Sequence, residues 1–215
     1  ALISLGRTEL GGQLSIDSPL ARAKGLGSST ADIAGAVYAA GQALRQPFTP
    51  WQVAEIALAI EPSDGTMFPG LVVFDHRGGR ICELLGQALA LDIIVLDFGG
   101  QVDTVTFNRF YRADVLRCLE PQAREALSLV KQGLLSGDLA LLGQGATLSA
   151  IANQHILFKP QLEAVRELAE EVGALGVNVG HSGTVIGVLL DPARSDSHEI
   201  MNYLAARFAP GNHSY

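Results

Sequence analysis

A short segment rich in glycine and serine, residues 24–32, has a composition suited to binding phosphate. It reads Lys-Gly-Leu-Gly-Ser-Ser-Thr-Ala-Asp and stands between strand-like residues 13–16 and an apolar helical stretch at 33–44. Its glycines let the backbone turn tightly and approach a ligand closely. The first turn of the following helix adds unpaired N–H groups and the positive end of the helix dipole. We therefore predict an anion site formed by the six residues Gly25, Leu26, Gly27, Ser28, Ser29 and Thr30.

This glycine-rich segment differs from two common nucleotide motifs. It lacks the Gly-Lys-Ser/Thr triplet of the P-loop, and its glycine spacing is not that of the dinucleotide fingerprint. A simpler interpretation is a strand-to-helix connection in which Ser28 or Ser29 caps the helix, because serine is a preferred cap. The residues of the segment leave these two interpretations equally open.

A second group of residues that could take part in chemistry is Glu61-Pro62-Ser63-Asp64, where two carboxylates stand at the predicted end of a helix. Magnesium takes oxygen ligands, usually one or two carboxylates together with the phosphates of a nucleotide. A nearby carboxylate can also receive the proton of an attacking hydroxyl. Taken alone, the same four residues more often form an Asx turn at Asp64 beside a solvated Glu61.

A third group, Gly180-His181-Ser182-Gly183-Thr184, lies between two predicted strands. In isolation, such a sequence most often forms a tight glycine turn with a histidine on the surface. The alternative is a ligand-binding loop, in which the side chains of His181 and Ser182 contact phosphate or substrate. The choice between the two depends on the rest of the chain.

The hydrophobic pattern predicts the elements that must position these groups. Thr49 is predicted to cap a helix that has Pro50 at its first position. Strands and helices are mixed without the regular alternation of a doubly wound sheet, so we expect the α+β class, with a domain boundary near residues 86–90. The predicted strands are 13–16, 71–74, 80–84, 91–97 (buried), 177–179 and 185–190, and the predicted helices are 31–44, 51–60, 107–119, 122–135, 139–154, 160–172 and 197–208.

Composition limits the classes of function. The 215 residues are 48% hydrophobic and 17% charged, which is typical of a globular protein with a sizeable core. The formal net charge of -7 disfavours non-specific binding to nucleic acid. Cys82 and Cys118 have no metal-ligand or disulfide spacing. We expect a cytoplasmic protein that acts on a small molecule, without a membrane or nucleic-acid partner.

The Gly-Leu-Gly-Ser-Ser sequence resembles the phosphate loop of the GHMP kinases, the family of galactokinase, homoserine kinase and mevalonate kinase. The resemblance implies a two-domain fold, with an N-terminal part like domain 2 of ribosomal protein S5 over residues 1–90 and a ferredoxin-like C-terminal part over 91–215. It also implies earlier strands, which we expect to precede Ala1. ATP and Mg²⁺ are the implied nucleotide and metal, and a homodimer is an open alternative.

The same resemblance implies a role for each group of residues. The backbone of the Gly25–Thr30 segment would hold the triphosphate, Ser29 and Glu61 would bind magnesium, and Lys24 would add positive charge. Asp64 would act as the base, although Ser63-Asp64 departs from the Ser-Gly-x-Asp pattern of many members, so a metal-binding or substrate-orienting role stays open. The loop that closes over the phosphate end would be formed by Gly180, His181, Ser182 and Gly183.

Further residues narrow the resemblance to one branch, the L-threonine kinases of cobalamin synthesis and propanediol utilisation. The motifs concerned are Lys24-Gly25, Ser28–Asp32, Glu61–Asp64, Phe74–Arg77, Val102–Thr104 and His181–Thr184. The implied substrate is L-threonine or a similar hydroxy compound. Asp103 is a candidate for pairing with its ammonium group, and His76, Arg77 or His181 for its carboxylate. Two alternatives stay open: a kinase for another small alcohol such as homoserine, and a catalytically silent nucleotide-binding protein.

Overall fold

The computed structural model describes residues 1–102 and 113–208. These residues divide into two compact units, each with its own core. The first contains residues 1–87 with 101–102, and the second contains 88–100 with 113–208. No helix within the described ranges is both long and apolar enough to cross a lipid bilayer.

The first unit consists of two helices and a hairpin. Helix α2 begins with the predicted cap: the Thr49 side chain accepts a hydrogen bond from the Gln52 N–H, and the Gln52 side chain accepts one from the Thr49 N–H. The hairpin is also confirmed, with Phe74 opposite Cys82. The elements are α1 (Ser28–Ala43), α2 (Pro50–Leu58), β1 (Leu71–Phe74) and β2 (Cys82–Gly86).

The core of the first unit lies between the two helices and the hairpin. Phe68 contacts Trp51 edge to face with the ring centroids 5.2 Å apart, and its ring lies 5.5 Å from that of Phe74. Aromatic pairs of this kind hold the start of α2 against the hairpin. The buried apolar residues are Ala34, Val37, Phe48, Val53, Ala54, Ala57, Met67 and Phe68.

The predicted strand at residues 13–16 is wrong. These residues are exposed and have no strand structure. Alternating apolar residues become a strand only when another strand supplies hydrogen-bond partners, and within the described part of the chain no segment pairs with them. An alternating pattern of this length indicates a potential strand but does not supply its neighbour.

The second unit is a three-stranded antiparallel sheet covered by helices. Strand β5 is central and wholly buried, and its Val188 pairs with Ile94 of β3 and Val177 of β4. Strand β3 was predicted to be buried, but Ile93 and Val95 are each 48% exposed because only one of its faces meets the core. The elements are β3 (Asp92–Leu96), α3 (Ala113–Ser136), α4 (Leu139–Asn153), α5 (Leu162–Glu171), β4 (Gly176–Val179), β5 (Ile186–Leu190) and α6 (Ser197–Phe208).

Helix α3 is continuous through Pro121, so the predicted break between helices 107–119 and 122–135 is wrong. Residues 107–112, the predicted start of the first of these helices, lie outside the described residues. A proline removes one backbone hydrogen bond, and close packing against α4 compensates for it. A Cβ atom at Gly145 of α4 would lie 2.7 Å from the Ala126 carbonyl oxygen of α3.

A second glycine of α4 makes a testable contribution to stability. A Cβ at Gly143 would lie 2.1 Å from the Leu175 carbonyl oxygen, so the backbone before β4 must move to accept it. We expect Gly143→Ala to lower the free energy of unfolding by about 1–3 kcal/mol, as overpacking of a core does. Urea unfolding measures this loss.

The matched control is Gly35→Ala in α1, where an added Cβ meets no described atom within 4 Å. Removing a flexible glycine from a helix interior is expected to raise stability by about 0.5–1 kcal/mol. Equal stability changes for the two variants would contradict the close contact at Gly143.

Candidate active site

Glycine makes the sharp turn that starts α1. Gly27 is the N-cap residue, with φ +68°, and Gly25 has φ +86°. Gly27 provides no side-chain cap, so the interpretation of Ser28 or Ser29 as a helix cap is wrong. The Ala31 N–H donates to the Gly27 carbonyl at 2.9 Å. The N–H groups of residues 28–30 precede this bond and point out of the helix start, which suits them to bind an anion.

The three hydroxyl side chains after Gly27 point to different places. Ser28 and Thr30 are 7% and 3% exposed, whereas Ser29 is exposed and its hydroxyl donates a hydrogen bond to Glu61 Oε1. Successive helical residues point about 100° apart, which explains why the middle hydroxyl faces out between two buried ones. A ligand at this helix start would therefore meet the Ser29 side chain and only the backbone of its two neighbours.

Buried hydrogen bonds hold the turn that carries the two acids. Ser63 is 1% exposed; its hydroxyl donates to the Glu61 carbonyl at 3.0 Å, and its N–H donates to the His76 carbonyl at 2.9 Å. The Asp64 N–H donates to Thr30 Oγ1 at 3.1 Å. The turn is thus attached to both the hairpin and the start of α1.

The Asp64 carboxylate lies beside the glycine turn. A Cβ placed on Gly27 would be 3.3 Å from Asp64 Oδ2. One side of Asp64 is open to solvent, while desolvation by the surrounding protein raises the pKa of its carboxyl, and the nearby charge of His76 partly opposes this rise. An acid with this environment can accept a proton from a group bound at the start of α1.

Ser29 and Glu61 form a donor pair suited to magnesium. A hydroxyl and a carboxylate oxygen are in contact at an exposed position, and hard oxygen donors are what this ion takes. Within residues 1–102 and 113–208, no three acidic, histidine or cysteine side chains cluster as a metal site. The residues therefore fit an ion whose other ligands come from nucleotide phosphates and water.

The contact between Gly27 and Asp64 gives a prediction. Gly27→Ala would place a side chain at a left-handed φ and bring its methyl group against Asp64 Oδ2. For the phosphate transfer that the family resemblance implies, we expect kcat/KM to fall by about 10- to 100-fold, because displacements near 1 Å have this effect on catalytic geometry. Gly6→Ala is the control, since Gly6 has φ +65° with no described atom within 4 Å of the added Cβ. A similar loss in both variants would show that backbone strain alone is responsible.

Other predicted residues of the first unit lie before α1, in its first turns and in the hairpin turn. Lys24 is half-buried in the bend before Gly25. Arg22 and Asp32 form an ion pair at 3.9 Å. Asp75 organises the hairpin turn: burial acts to raise its pKa, but the N–H groups of Arg77, Gly78 and Arg80, which donate to its carboxylate, leave the pKa below the usual value. Asp103, the ammonium candidate, lies outside the described residues.

The third predicted group is the turn between β4 and β5 in the second unit. The Gly180 N–H donates to the Val185 carbonyl at 3.3 Å and closes the turn. His181 is exposed, Ser182 is partly exposed and Gly183 is buried. Thr184 Oγ1 is buried and has no hydrogen-bond partner among the described residues. The role of this turn in closing over phosphate stays a prediction.

Sequence reasoning missed two contacts of the turn formed by residues 61–64, which we call the acid turn. Thr30 was predicted to belong to the phosphate site, which stays a prediction for its backbone N–H; its side chain is buried and accepts a hydrogen bond from the Asp64 N–H. His76 was considered for the substrate carboxylate, and its carbonyl and charge both act on the acid turn. The helical spacing of Ser29 and Thr30 was the one signal that could have separated their roles.

Comparison with known proteins agrees with this fold. Residues 2–69 match the family model of the GHMP kinases N terminal domain, and residues 123–208 match that of the GHMP kinases C terminal. Homoserine kinase from Cytophaga hutchinsonii has a similar fold, with a TM-score of 0.66 and 20% identity over 88% of this chain and 62% of that structure. Mevalonate kinase from L. major, solved with R-mevalonate, has a TM-score of 0.67 at 20% identity, covering 89% and 64% of the two chains.

The chain belongs to the GHMP kinases. Within the family it is similar to L-threonine kinases, with 36% identity to that of Citrobacter freundii over 86% of this chain and 33% to that of Salmonella typhimurium over 91%. It spans 64% and 65% of the lengths of these two relatives. A homoserine kinase from Microchaete diplosiphon is 24% identical over 196 residues.

Proposed function

We propose that this chain provides the phosphate-transfer site of an ATP-dependent kinase that converts L-threonine to O-phospho-L-threonine. The observation that carries the proposal is the convergence of Ser29, Glu61 and Asp64 at the glycine-rich start of α1. Phosphate transfer depends on positioning and charge neutralisation. These residues supply both at one point of the protein surface.

The start of α1 holds the triphosphate. The N–H groups of residues 28–30 and the helix dipole stabilise its negative charge, and Lys24 adds positive charge nearby. Ser29 and Glu61 hold Mg²⁺, which when bound neutralises charge on the phosphate oxygens. The exposed Ser29 side chain and the half-buried Glu61 side chain, which are in contact, support this role.

Asp64 orients the acceptor. Its carboxylate receives the proton of the threonine hydroxyl as that oxygen forms a bond to the γ-phosphorus and the bond to the ADP oxygen breaks. The products are O-phospho-L-threonine and ADP, and the proton resides on Asp64 until solvent takes it. The open side of Asp64 supports this exchange with water.

Relatives support threonine over other alcohols. Identity is 33–36% to the L-threonine kinases and 24–25% to the homoserine kinases of Microchaete diplosiphon and Trichormus variabilis. The resemblance to the cobalamin branch further suggests that O-phospho-L-threonine is used to build the aminopropanol linker of cobalamin. Homoserine is the second candidate substrate because several relatives carry that name.

Substrate profiling tests the proposal. Magnesium-dependent phosphate transfer from ATP is measured with L-threonine, L-serine, L-homoserine, mevalonate and galactose. We expect the highest kcat/KM with L-threonine and no transfer without Mg²⁺. Preference for L-homoserine would show that homoserine, and not threonine, is the substrate. Nucleotide binding without transfer to any acceptor would favour a catalytically silent binding protein.

A further inference from the structure

The hydroxyl of Thr30 makes a connection that phosphate binding does not explain. It lies one residue after Ser29 in the first turn of α1, it is 3% exposed, and it accepts the Asp64 N–H at 3.1 Å. We propose that Thr30 is a positioning residue, which sets the position of the Asp64 carboxylate at the start of α1 and does not bind nucleotide through its side chain. The inference rests on the proposed kinase function and deepens it.

The burial of Thr30 argues against a phosphate contact. A nucleotide bound at the start of α1 approaches from solvent, on the side of the exposed Ser29 hydroxyl. Thr30, the next residue of the helix, points about 100° away from Ser29 and contacts the acid turn. Its hydroxyl therefore reaches the site only through the residue that it holds.

The hydrogen bond to Thr30 determines where the acid turn lies. Asp64 follows Ser63, whose N–H donates to the His76 carbonyl at 2.9 Å. These two adjacent backbone N–H groups thus attach the turn to two different elements, the hairpin and α1. The hairpin bond and the close approach of Gly65 to Val72 fix the turn to the hairpin, whereas the bond to Thr30 aligns it with the helix that would carry the phosphate.

The contact at Gly27 shows how little tolerance this arrangement has. Asp64 Oδ2 would be 3.3 Å from a Cβ at Gly27, and Thr66 Cγ2 would be 3.4 Å from the same position. The acid turn is therefore packed directly against the helix start. Loss of the Thr30 anchor would let Asp64 move away from this position while leaving the helix start itself intact.

The test replaces the hydroxyl of Thr30 and keeps its shape. Thr30→Val removes the acceptor of the Asp64 N–H with little change in volume. We expect kcat with L-threonine to fall about 10- to 100-fold, the effect of a displacement near 1 Å, while KM for ATP stays within about twofold of its original value. Thr30→Ser keeps the acceptor and is expected to restore most of kcat.

A matched control separates positioning from stability. Thr49→Val removes another hydroxyl that accepts a hydrogen bond from a backbone N–H. The donor is the Gln52 N–H, 3.3 Å away, at the start of α2. We expect this variant to lose thermal stability but to keep kcat. Amide hydrogen exchange at Asp64, measured by NMR, is a readout independent of activity: it should accelerate in Thr30→Val and stay slow in Thr30→Ser.

Four results would overturn the inference: unchanged kcat in Thr30→Val, a raised KM for ATP with unchanged kcat, an equal loss of kcat in Thr49→Val, or unchanged exchange at Asp64. The first two would make Thr30 dispensable or a nucleotide ligand. Absence of phosphate transfer by the unsubstituted protein would instead reject the proposed function, and the exchange measurement would still decide whether Thr30 holds Asp64.

Discussion

Asp64→Asn is expected to lower kcat for phosphate transfer to L-threonine by about a hundredfold or more, the lower part of the range for loss of a general base. The amide has nearly the same shape but cannot take the proton of the attacking hydroxyl. The Asp64 N–H still donates to Thr30, so the turn is expected to stay in place. KM for ATP should change little, and steady-state kinetics with varied ATP and L-threonine measures both parameters.

The control for this variant is Asp138→Asn. Asp138 caps α4 in the second unit through the N–H groups of Ala140 and Leu141, and asparagine is an equally good cap. This variant loses the same charge and should keep full activity. A parallel loss of ATP affinity in Asp64→Asn would instead identify Asp64 as a metal ligand.

The pH profile gives an independent test of Asp64. Desolvation raises the pKa of its carboxyl above the ordinary value of 3.8, with His76 opposing. The ionised form is the proton acceptor, so kcat/KM should fall as pH decreases through this raised pKa, and the Asn variant should lose that limb. The folded state disfavours the ionised form, so Asp64 costs stability in full above the raised pKa of the folded state, and this cost disappears as pH falls to the ordinary pKa of the unfolded chain. Asp64→Asn should therefore melt at a slightly higher temperature at pH 7, with the gain vanishing in acid.

Glu61→Gln is expected to raise the magnesium concentration required for half-maximal activity by about 10- to 100-fold, the size of effect known for residues that support a metal site. A neutral amide can still accept the hydrogen bond from Ser29, but it lacks the negative charge that attracts a hard cation. Initial rates over a magnesium titration measure the shift. Calorimetry should show weaker ATP binding in the presence of Mg²⁺ and unchanged binding in its absence.

Glu55→Gln is the matched control, since Glu55 is an exposed carboxylate on α2. The substitution is chemically identical and should leave the magnesium titration unchanged. If Glu61→Gln lowered kcat without altering the dependence on magnesium, Glu61 would be acting on the substrate and not on the metal.

The elements whose signals are local could be predicted from the sequence. The cap at Thr49, the hairpin of β1 and β2, and the break before α4 all depend on residues a few positions apart. Two predictions failed where the answer depends on distant partners. Residues 13–16 have the pattern of a strand but no neighbour among the described residues, and α3 continues through Pro121 because α4 packs closely against it.

The sequence by itself determined the glycine turn, the helix that follows it and the residue types of the proposed phosphate and magnesium site. Only the tertiary structure decided which of their side chains face solvent and which contact the rest of the protein. Ser29 and Glu61 are 32 residues apart in sequence, and Thr30 and Asp64 are 34 apart, yet each pair is hydrogen-bonded. The periodicity of α1 places Ser29 and Thr30 on different faces, but the packing of the acid turn determines which one faces solvent. This packing depends on contacts with the hairpin and α1, which no short stretch of sequence contains.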